Sequence, residues 1–368
     1  MSGTGPVGVG VIGAGTISGQ YLTNLTRFPD VEVRVVTDLY PQRAAEQAAA
    51  FGVAESGPPE LALGHPDVEI VVNLTVPAAH AEVSLAALAA GKHVWTEKPF
   101  ALDRAAGRKI VEAADGGGLR VGGAPDTFLG AGLQTARRLI ERGDIGTPLT
   151  ALTLFETPGP ADDHRNLEVL LSRGAGPLWD MGPYYLTALT QFLGSFRAVT
   201  ATGRTARPTR VPRTGPRAGT PIAVEVATHV SVLAEFAGGQ AATSVLSWDS
   251  PHRRVGHVEL AGSEATLSVP DPNHFDGDLH LRRAGDAEWT VVPATGPVGG
   301  RGLGVLDIAR AVRTGRQHRA SGLLAYHVLD TMAAITESIG RGGAVAVDSS
   351  APRVDPVEES WDPYAATL

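Results

Sequence analysis

The chain has 368 residues, of which 43% are hydrophobic, and a net charge of −8 at neutral pH. This length predicts about two domains, while the negative charge provides no field that would attract nucleic acid or an anionic membrane. The absence of cysteine excludes disulfides, thiolate metal sites and a cysteine nucleophile. Because the sequence shows no signal peptide and no apolar run of about 18 residues, we expect a cytoplasmic protein without a membrane segment.

The first predicted element is a buried strand that passes through a glycine turn into a helix. Val7, Val9, Val11 and Ile12 form a short β-branched run, and the pattern G-x-G-x-x-S follows with Gly13, Gly15 and Ser18. Gly13 permits a tight turn, Gly15 lets the backbone approach a pyrophosphate, and Ser18 is small enough for close packing of helix on strand. The free N–H groups of the helix N-terminus favour a bound diphosphate.

A second strand, residues 31–37, ends at Asp38, about 20 residues beyond the glycines. A carboxylate at this point accepts hydrogen bonds from the adenosine ribose of a dinucleotide and repels a 2′-phosphate. The next cation, Arg43, follows on the predicted helix of residues 41–51. The sequence therefore predicts binding of NAD in preference to NADP.

Strands and helices continue to alternate up to about residue 123. The pattern predicts strands at 68–75, 92–96 and 119–121 and helices at 78–90 and 103–115. This rhythm is typical of a doubly wound parallel sheet, here of about six strands, whose ligands bind at the carboxyl ends of the strands. We therefore predict an NAD-binding Rossmann domain over residues 1–123.

The pattern changes in residues 124–368, for which we predict an α+β domain with a large, mostly antiparallel sheet. Consecutive strands with short links favour antiparallel pairing, and residues 204–217 read as an exposed excursion. We expect the last two helices to cover one face of this sheet, which leaves the other face for a second subunit. The predicted elements are helices at 131–142, 174–193, 304–314 and 322–341, and strands at 149–156, 223–236, 240–248, 254–262 and 265–269.

Four segments together resemble the glucose–fructose oxidoreductase, inositol dehydrogenase and rhizopine catabolism (Gfo/Idh/MocA) family. They are Gly13-Ala14-Gly15, residues 76–80, the tripeptide Glu97-Lys98-Pro99, and residues 174–182 with Asp180. The resemblance covers nearly the whole chain. It implies hydride transfer between nicotinamide and a secondary alcohol or ketone of a sugar, cyclitol or related polyol, by a homodimer or homotetramer.

The resemblance also implies roles for individual residues. In the family, the lysine matched by Lys98 contacts both substrate and nicotinamide, and the aspartate matched by Asp180 precedes a histidine that exchanges the hydroxyl proton. This chain has Tyr184 at the histidine position, and a phenol with a pKa near 10 needs a cation such as Lys98 to act as a base. A second departure is the segment around Asp126, where many members carry Asn-Tyr-Arg.

The predicted sites combine these roles with positions at strand ends. We predict catalysis by Lys98, Asp180 and Tyr184, and further substrate contacts by Asp126 and His164. Core packing of Tyr184, a structural role for His80 and a solvated His164 stay open as alternatives, and no ligand spacing indicates a metal site. The predicted cofactor-binding residues are Gly13, Gly15, Thr16, Ile17, Asp38, Asn73, Thr75, Pro77, His80, Glu97 and Lys98.

Three other functions fit the same pattern. Glycosidases of the family keep NAD bound and cleave by transient oxidation, and another branch acts on aromatic diols, for which Trp179 and two adjacent tyrosines are suited. A dinucleotide-binding regulator would keep the glycines but has no need of Lys98 together with Asp180. Retention of both favours an enzyme.

Overall fold

The computed structural model describes residues 4–164 and 166–368. The chain forms two compact units: the first contains Met1–Gln134, Thr295–Leu329 and Pro352–Leu368, and the second contains Thr135–Ala294 and Asp330–Ala351. The predicted boundary near residue 123 lies between the two large sheets. It does not account for Thr295–Leu329 and Pro352–Leu368, two later segments that belong to the first unit.

The first unit is built on a six-stranded, wholly parallel sheet in the order β3-β2-β1-β4-β5-β6. This is the order of the dinucleotide fold, with its reversal between β1 and β4. The fold class predicted from the sequence is confirmed, although the short, half-exposed β3 gave no hydrophobic signal. The strands are β1 (Val7–Ile12), β2 (Val31–Thr37), β3 (Glu55–Gly57), β4 (Ile70–Asn73), β5 (His93–Thr96) and β6 (Val121–Gly123).

The helices follow the predicted positions closely. They are α1 (Ser18–Leu25), α2 (Pro41–Phe51), α3 (Pro59–Gly64), α4 (His80–Ala89), α5 (Arg104–Gly116), α6 (Ala131–Arg142), α7 (Leu167–Leu171), α8 (Gly176–Leu193), α9 (Leu303–Thr314) and α10 (Gly322–Arg341). Within the described ranges, no helix has both the length and the apolar character needed to cross a membrane.

The expectation that α9 covers the large sheet was wrong, because α9 belongs to the first unit. Its residue Gly304 lies against the ring of Trp95 on β5, so closely that a Cβ would be 2.2 Å from a ring atom. The apolar face of α9 was visible in the sequence, but periodicity does not specify which sheet that face meets. α10 is shared between the units, with its residues up to Leu329 in the first and those from Asp330 in the second.

The second unit contains a nine-stranded sheet in the order β16-β15-β14-β13-β7-β12-β11-β8-β17, in which only the β7 and β12 pair is parallel. Residues 204–217 include part of a small hairpin, β9 paired with β10. The strands are β7 (Pro148–Glu156), β8 (Phe196–Arg204), β9 (Thr209–Arg210), β10 (Ile222–Ala223), β11 (His229–Phe236), β12 (Ala241–Ser247), β13 (Arg254–Gly262), β14 (Ala265–Val269), β15 (Leu279–Arg283), β16 (Thr290–Val292) and β17 (Val345–Ala346).

The two faces of this sheet differ. On the face that α8 covers, Gly182 packs near the buried Leu246 of β12. On the opposite face, Leu233 of β11 and Leu152 of β7 are 60% and 37% exposed. Both residues pair with Thr243 in the strand between them, so they lie in one row across the sheet. The outer face therefore exposes two leucines, one on either side of Thr243.

A buried ion pair fastens the C-terminal residues to the first unit. Asp30 accepts hydrogen bonds from Arg310 Nε on α9 at 2.7 Å and from the Thr367 backbone N–H at 2.8 Å. Trp361 covers the Arg310 guanidinium at 5.0 Å. Burial favours the protonated form of Asp30, but the hydrogen bonds from Thr367 and Arg310 outweigh burial and lower its pKa. The pair is thus satisfied on both sides, as a buried charge requires.

Candidate active site

The glycine turn after β1 has the geometry of an anion cradle. Gly13 has φ of +110°, and a Cβ there would lie 2.6 Å from a backbone carbonyl that follows β4, so only glycine fits. A Cβ at Gly15 would meet nothing within 4 Å, which leaves this side of the turn open. Among the described residues, the N–H groups of Gly15, Thr16 and Ile17 donate to no protein acceptor. Ser18 is fully buried and its hydroxyl donates to the Gly15 carbonyl at 2.7 Å.

Asp38 lies directly beside this turn. Its Oδ2 accepts the Ala14 backbone N–H at 2.7 Å and its Oδ1 accepts the Tyr40 N–H at 2.9 Å. These bonds fix a half-buried carboxylate at the end of β2, where the adenosine ribose was expected. The Arg43 guanidinium lies over the Tyr40 ring at 4.6 Å, so a cation is nearer to this subsite than its place on α2 suggested.

The polar side chains of residues 73–80, at the end of β4 and in the loop that follows it, form hydrogen bonds within that loop. Asn73 is fully buried, donates to the His80 carbonyl at 2.9 Å and accepts from Thr75 Oγ1 at 2.7 Å. The buried His80 ring has Nδ1 2.7 Å from the Pro99 carbonyl and Nε2 3.1 Å from the Thr75 carbonyl. Pro77 begins a short 3-10 turn before α4. The predicted cofactor contacts of these side chains stay predictions.

Burial lowers the pKa of His80, although the adjacent carbonyls and Glu97 oppose this effect. A neutral imidazole donates only one hydrogen bond, and the shorter contact is the one to Pro99. His80 therefore links the end of β4 to the segment that follows Lys98.

Glu97 holds the backbone of Lys98. The carboxylate of Glu97 accepts the Tyr21 hydroxyl at 2.8 Å and the Lys98 backbone N–H at 2.9 Å. The indole N–H of Trp95 donates to the Tyr21 hydroxyl at 3.0 Å. Lys98 itself is half-buried at the carboxyl edge of the sheet, beyond β5. Sequence reasoning missed Tyr21, and the available signal was a tyrosine on the buried face of α1, which requires a partner for its hydroxyl.

Asp126 lies deeper than its predicted substrate contact requires. It is 0% exposed, and its Oδ2 accepts the N–H groups of Gly302 and Gly304 at 2.8 and 3.1 Å, at the start of α9. Its Oδ1 has no hydrogen-bond partner among the residues that the structure describes. Burial, with Glu97 adding to it, raises the pKa of Asp126 to about 6 against the opposing effect of Arg301 and the two N–H groups. Asp126 therefore caps the start of α9, and its predicted substrate contact stays a prediction.

Asp180 and Tyr184 lie one turn apart on α8 in the second unit. Asp180 is half-buried and Tyr184 is buried. The neighbouring Tyr185 is clearly a packing residue, because its hydroxyl accepts the Gly256 N–H at 2.8 Å. Lys98 belongs to the first unit, so its approach to Asp180 and Tyr184 stays a prediction.

His164 is exposed, and its Nδ1 accepts the Asn166 backbone N–H at 3.1 Å in a local turn. Arg165, the next residue in this loop, lies outside the described residues. The loop is fastened through Asp162, which accepts Arg210 Nη2 of the β9–β10 hairpin at 2.8 Å. A substrate contact by His164 stays a prediction.

In the described part of the chain, no group of three or more histidine, aspartate or glutamate side chains is arranged to hold a metal ion.

Comparison with known proteins identifies the family to which the chain belongs. Residues 7–123 match the oxidoreductase family with NAD-binding Rossmann fold, and residues 133–268 match the C-terminal domain of the Gfo/Idh/MocA proteins. The chain belongs to the Gfo/Idh/MocA family. The first unit thus contains the NAD-binding Rossmann fold of this oxidoreductase family, as the sequence predicted.

Relatives within the family act on cyclic polyols according to their names. Inositol 2-dehydrogenase 3 of Saccharopolyspora erythraea is 36% identical over 156 residues, which are 41% of this chain and 46% of that protein. Levoglucosan dehydrogenase of Pseudarthrobacter phenanthrenivorans is 27% identical over 65% of each chain. The aligned region thus spans less than two thirds of the length of either relative.

Solved structures confirm the fold of this Gfo/Idh/MocA protein. Levoglucosan dehydrogenase in complex with NADH and L-sorbose superposes with a TM-score of 0.83 at 24% identity, over 93% of this chain and 99% of the other. An NAD-binding oxidoreductase from Klebsiella pneumoniae gives a TM-score of 0.82 at 24% identity, over 94% and 99%. At this identity the likeness concerns the fold alone.

The buried carboxylate of Asp126 predicts a pH dependence of stability. Its folded pKa of about 6 exceeds the unfolded value near 3.9. The folded state therefore holds the proton more tightly, and stability falls as the pH rises from about 4 through 6. Relative to Asp126→Asn, the wild type should lose on the order of 2 kcal/mol across this window. Thermal unfolding of both proteins at pH 4.5 and 7.5 measures the change.

The matched control for this prediction is Asp115→Asn, on the exposed part of α5. The stability of that variant should follow the wild type at both pH values. If the stability of Asp126→Asn changes with pH by the same amount as that of the wild type, the Asp126 carboxylate is not the buried group with a raised pKa described above.

Proposed function

We propose that this protein is an NAD(H)-dependent oxidoreductase that transfers hydride between nicotinamide and a secondary alcohol or ketone of a sugar, cyclitol or related polyol. The observation that carries this proposal is the Lys98 backbone, fixed by Glu97 at the carboxyl edge of the NAD-binding sheet. The names of the relatives support cyclic polyols as the substrate class.

The bound nicotinamide supplies the hydride acceptor or donor, and the chain supplies the remaining chemistry. The ammonium group of Lys98 stabilises negative charge on the substrate oxygen, as oxidation of an alcohol requires. Tyr184 exchanges the hydroxyl proton, and Asp180, one turn earlier on α8, orients the same hydroxyl.

The alternatives differ in their products. A glycosidase would release a sugar without net formation of NADH, and a regulator would bind NAD without turnover. Oxidation of an aromatic diol would show the same reduction of NAD with a different substrate. A panel of sugars, cyclitols and aromatic diols, followed by NADH absorbance and product mass, separates all of them.

Lys98→Met is expected to lower turnover on a verified substrate at least 100-fold, the loss typical of removing one preorganised charge. Affinity for NAD(H) should be nearly unchanged, since the glycine turn and Asp38 remain intact. Tyr184→Phe should reduce turnover by a similar factor if the phenol carries the proton, and otherwise should cost only about 1 kcal/mol of stability. Turnover near the wild-type rate in Lys98→Met would refute the proposed mechanism.

The position of Asp38 predicts preference for NAD(H) over NADP(H). In Asp38→Ser, the ribose should lose a charge-assisted acceptor and a 2′-phosphate should no longer be repelled, so the preference should narrow roughly tenfold or more. Fluorescence titration with NADH and NADPH measures both affinities. Adding Arg43→Ala tests whether this cation, which lies over the Tyr40 ring, contributes to any gain in NADPH affinity. Equal affinity of the wild type for both cofactors would contradict the assignment.

The two exposed leucines on the outer face of the second sheet, Leu233 and Leu152, support assembly into a homodimer or homotetramer through that face. Leu233→Glu together with Leu152→Glu should shift the protein to a monomer in light scattering at micromolar concentration, because the charges would be buried unpaired. Val169→Glu, an equally exposed apolar position on α7, is the matched control and should leave the mass unchanged. A monomeric wild type would overturn the proposal, and a cytoplasmic location stays a separate prediction.

A further inference from the structure

The lysine side chain is long, with four rotatable bonds and a single charged group at its end. Where the Lys98 ammonium group can reach therefore depends on the position of the Lys98 backbone. The structure holds this backbone on both sides. Before it, the Glu97 carboxylate accepts the Lys98 N–H at 2.9 Å. After it, the Pro99 carbonyl lies 2.7 Å from His80 Nδ1. A group that orients the Glu97 carboxylate therefore also determines where the lysine starts.

Tyr21 is that group, and the direction of its hydrogen bonds follows from chemistry. An indole N–H can only donate, so Trp95 Nε1, 3.0 Å away, gives its proton to the Tyr21 oxygen. The single hydroxyl proton of Tyr21 is then directed to Glu97 Oε1 at 2.8 Å. The chain Trp95 to Tyr21 to Glu97 to the Lys98 N–H thus has one consistent arrangement.

The surroundings keep the Tyr21 hydroxyl protonated. Burial, and next the charges of Glu97 and Asp126, raise the pKa of Tyr21 well above its usual value, while Arg301 and the Trp95 hydrogen bond oppose this. Tyr21 and Trp95 are both fully buried, so water does not compete for these bonds. The hydroxyl therefore remains a donor to Glu97 at neutral pH.

We propose that Tyr21 is a positioning residue for Lys98, acting through the Glu97 carboxylate. The inference rests on the proposed function, in which Lys98 contacts the reacting oxygen. Tyr21 lies in the first turn of α1, directly after the open glycine turn. The same helix that receives the pyrophosphate at its N-terminus thus fixes the segment that carries the lysine.

Tyr21→Phe tests this role, because phenylalanine keeps the ring packing and removes only the hydroxyl. The Glu97 carboxylate then loses one of its two partners and is free to rotate. Since small misplacements of a catalytic group can cost up to about 100-fold, we expect kcat to fall about tenfold on a verified substrate. The KM values for NAD and substrate should stay within about twofold, because the Tyr21 hydroxyl bonds to neither ligand in the proposed complex.

The matched control is Tyr326→Phe, which removes another largely buried hydroxyl that accepts a hydrogen bond from Arg108. It should lower the thermal midpoint by a similar amount and leave kcat unchanged. NADH binding, followed by fluorescence, shows that each variant is folded whether or not it turns over. A fall in kcat common to both variants would indicate a general effect of stability and would overturn the proposal.

A double-mutant cycle separates action through Glu97 from any other route. Once Glu97→Ala has removed the carboxylate, adding Tyr21→Phe should lower kcat by less than about twofold. The proposal is overturned if the Tyr21 effect is equally large in both backgrounds, if Tyr21→Phe raises only KM, or if its kcat is normal. If only the proposal for Tyr21 fails, Lys98→Met is still inactive. If the proposed function fails, Lys98→Met remains active.

Discussion

The buried carboxylate of Glu97 is the constraint on which the candidate active site depends. A charge in this position is tolerated only if both oxygens have partners. The Tyr21 hydroxyl and the Lys98 N–H satisfy that requirement. One partner comes from α1 and the other from the segment after β5. The two hydrogen bonds to the carboxylate therefore also fix the position of the lysine backbone relative to the glycine turn within the first unit.

The NAD-binding sheet is completed by residues from the end of the chain. Trp95 is covered by Gly304 of α9, and Asp126 caps the same helix through two N–H groups. Asp30 accepts hydrogen bonds from Arg310 and from the C-terminal residues. Without these returns, two carboxylates and a tryptophan would lose the groups that bury or bind them. The Rossmann fold of this chain is therefore discontinuous for a physical reason.

Local patterns in the sequence predicted the strands and helices. They did not predict which residues far apart in the chain contact one another. The β-branched run of β1, Gly13 and the end of β2 at Asp38 each act within a few residues, and the structure has them as predicted. The partners of Tyr21 and Asp126 lie 76 and 176 residues away in the chain. An apolar helix face or a lone acid has the same pattern whichever partner it meets, so α9 was placed on the wrong sheet and the two N–H partners of Asp126 were not predicted.

The choice of partners at Glu97 bears on the chemistry of Lys98. Both partners of the carboxylate are neutral donors, so neither cancels its negative charge. An arginine in place of Tyr21 would satisfy the oxygens equally well but would add a second buried cation near Lys98. A nearby negative charge favours the ammonium form of a lysine, whereas a nearby positive charge favours the neutral amine. A tyrosine at position 21 therefore orients the carboxylate that holds the Lys98 backbone without adding a positive charge beside the lysine.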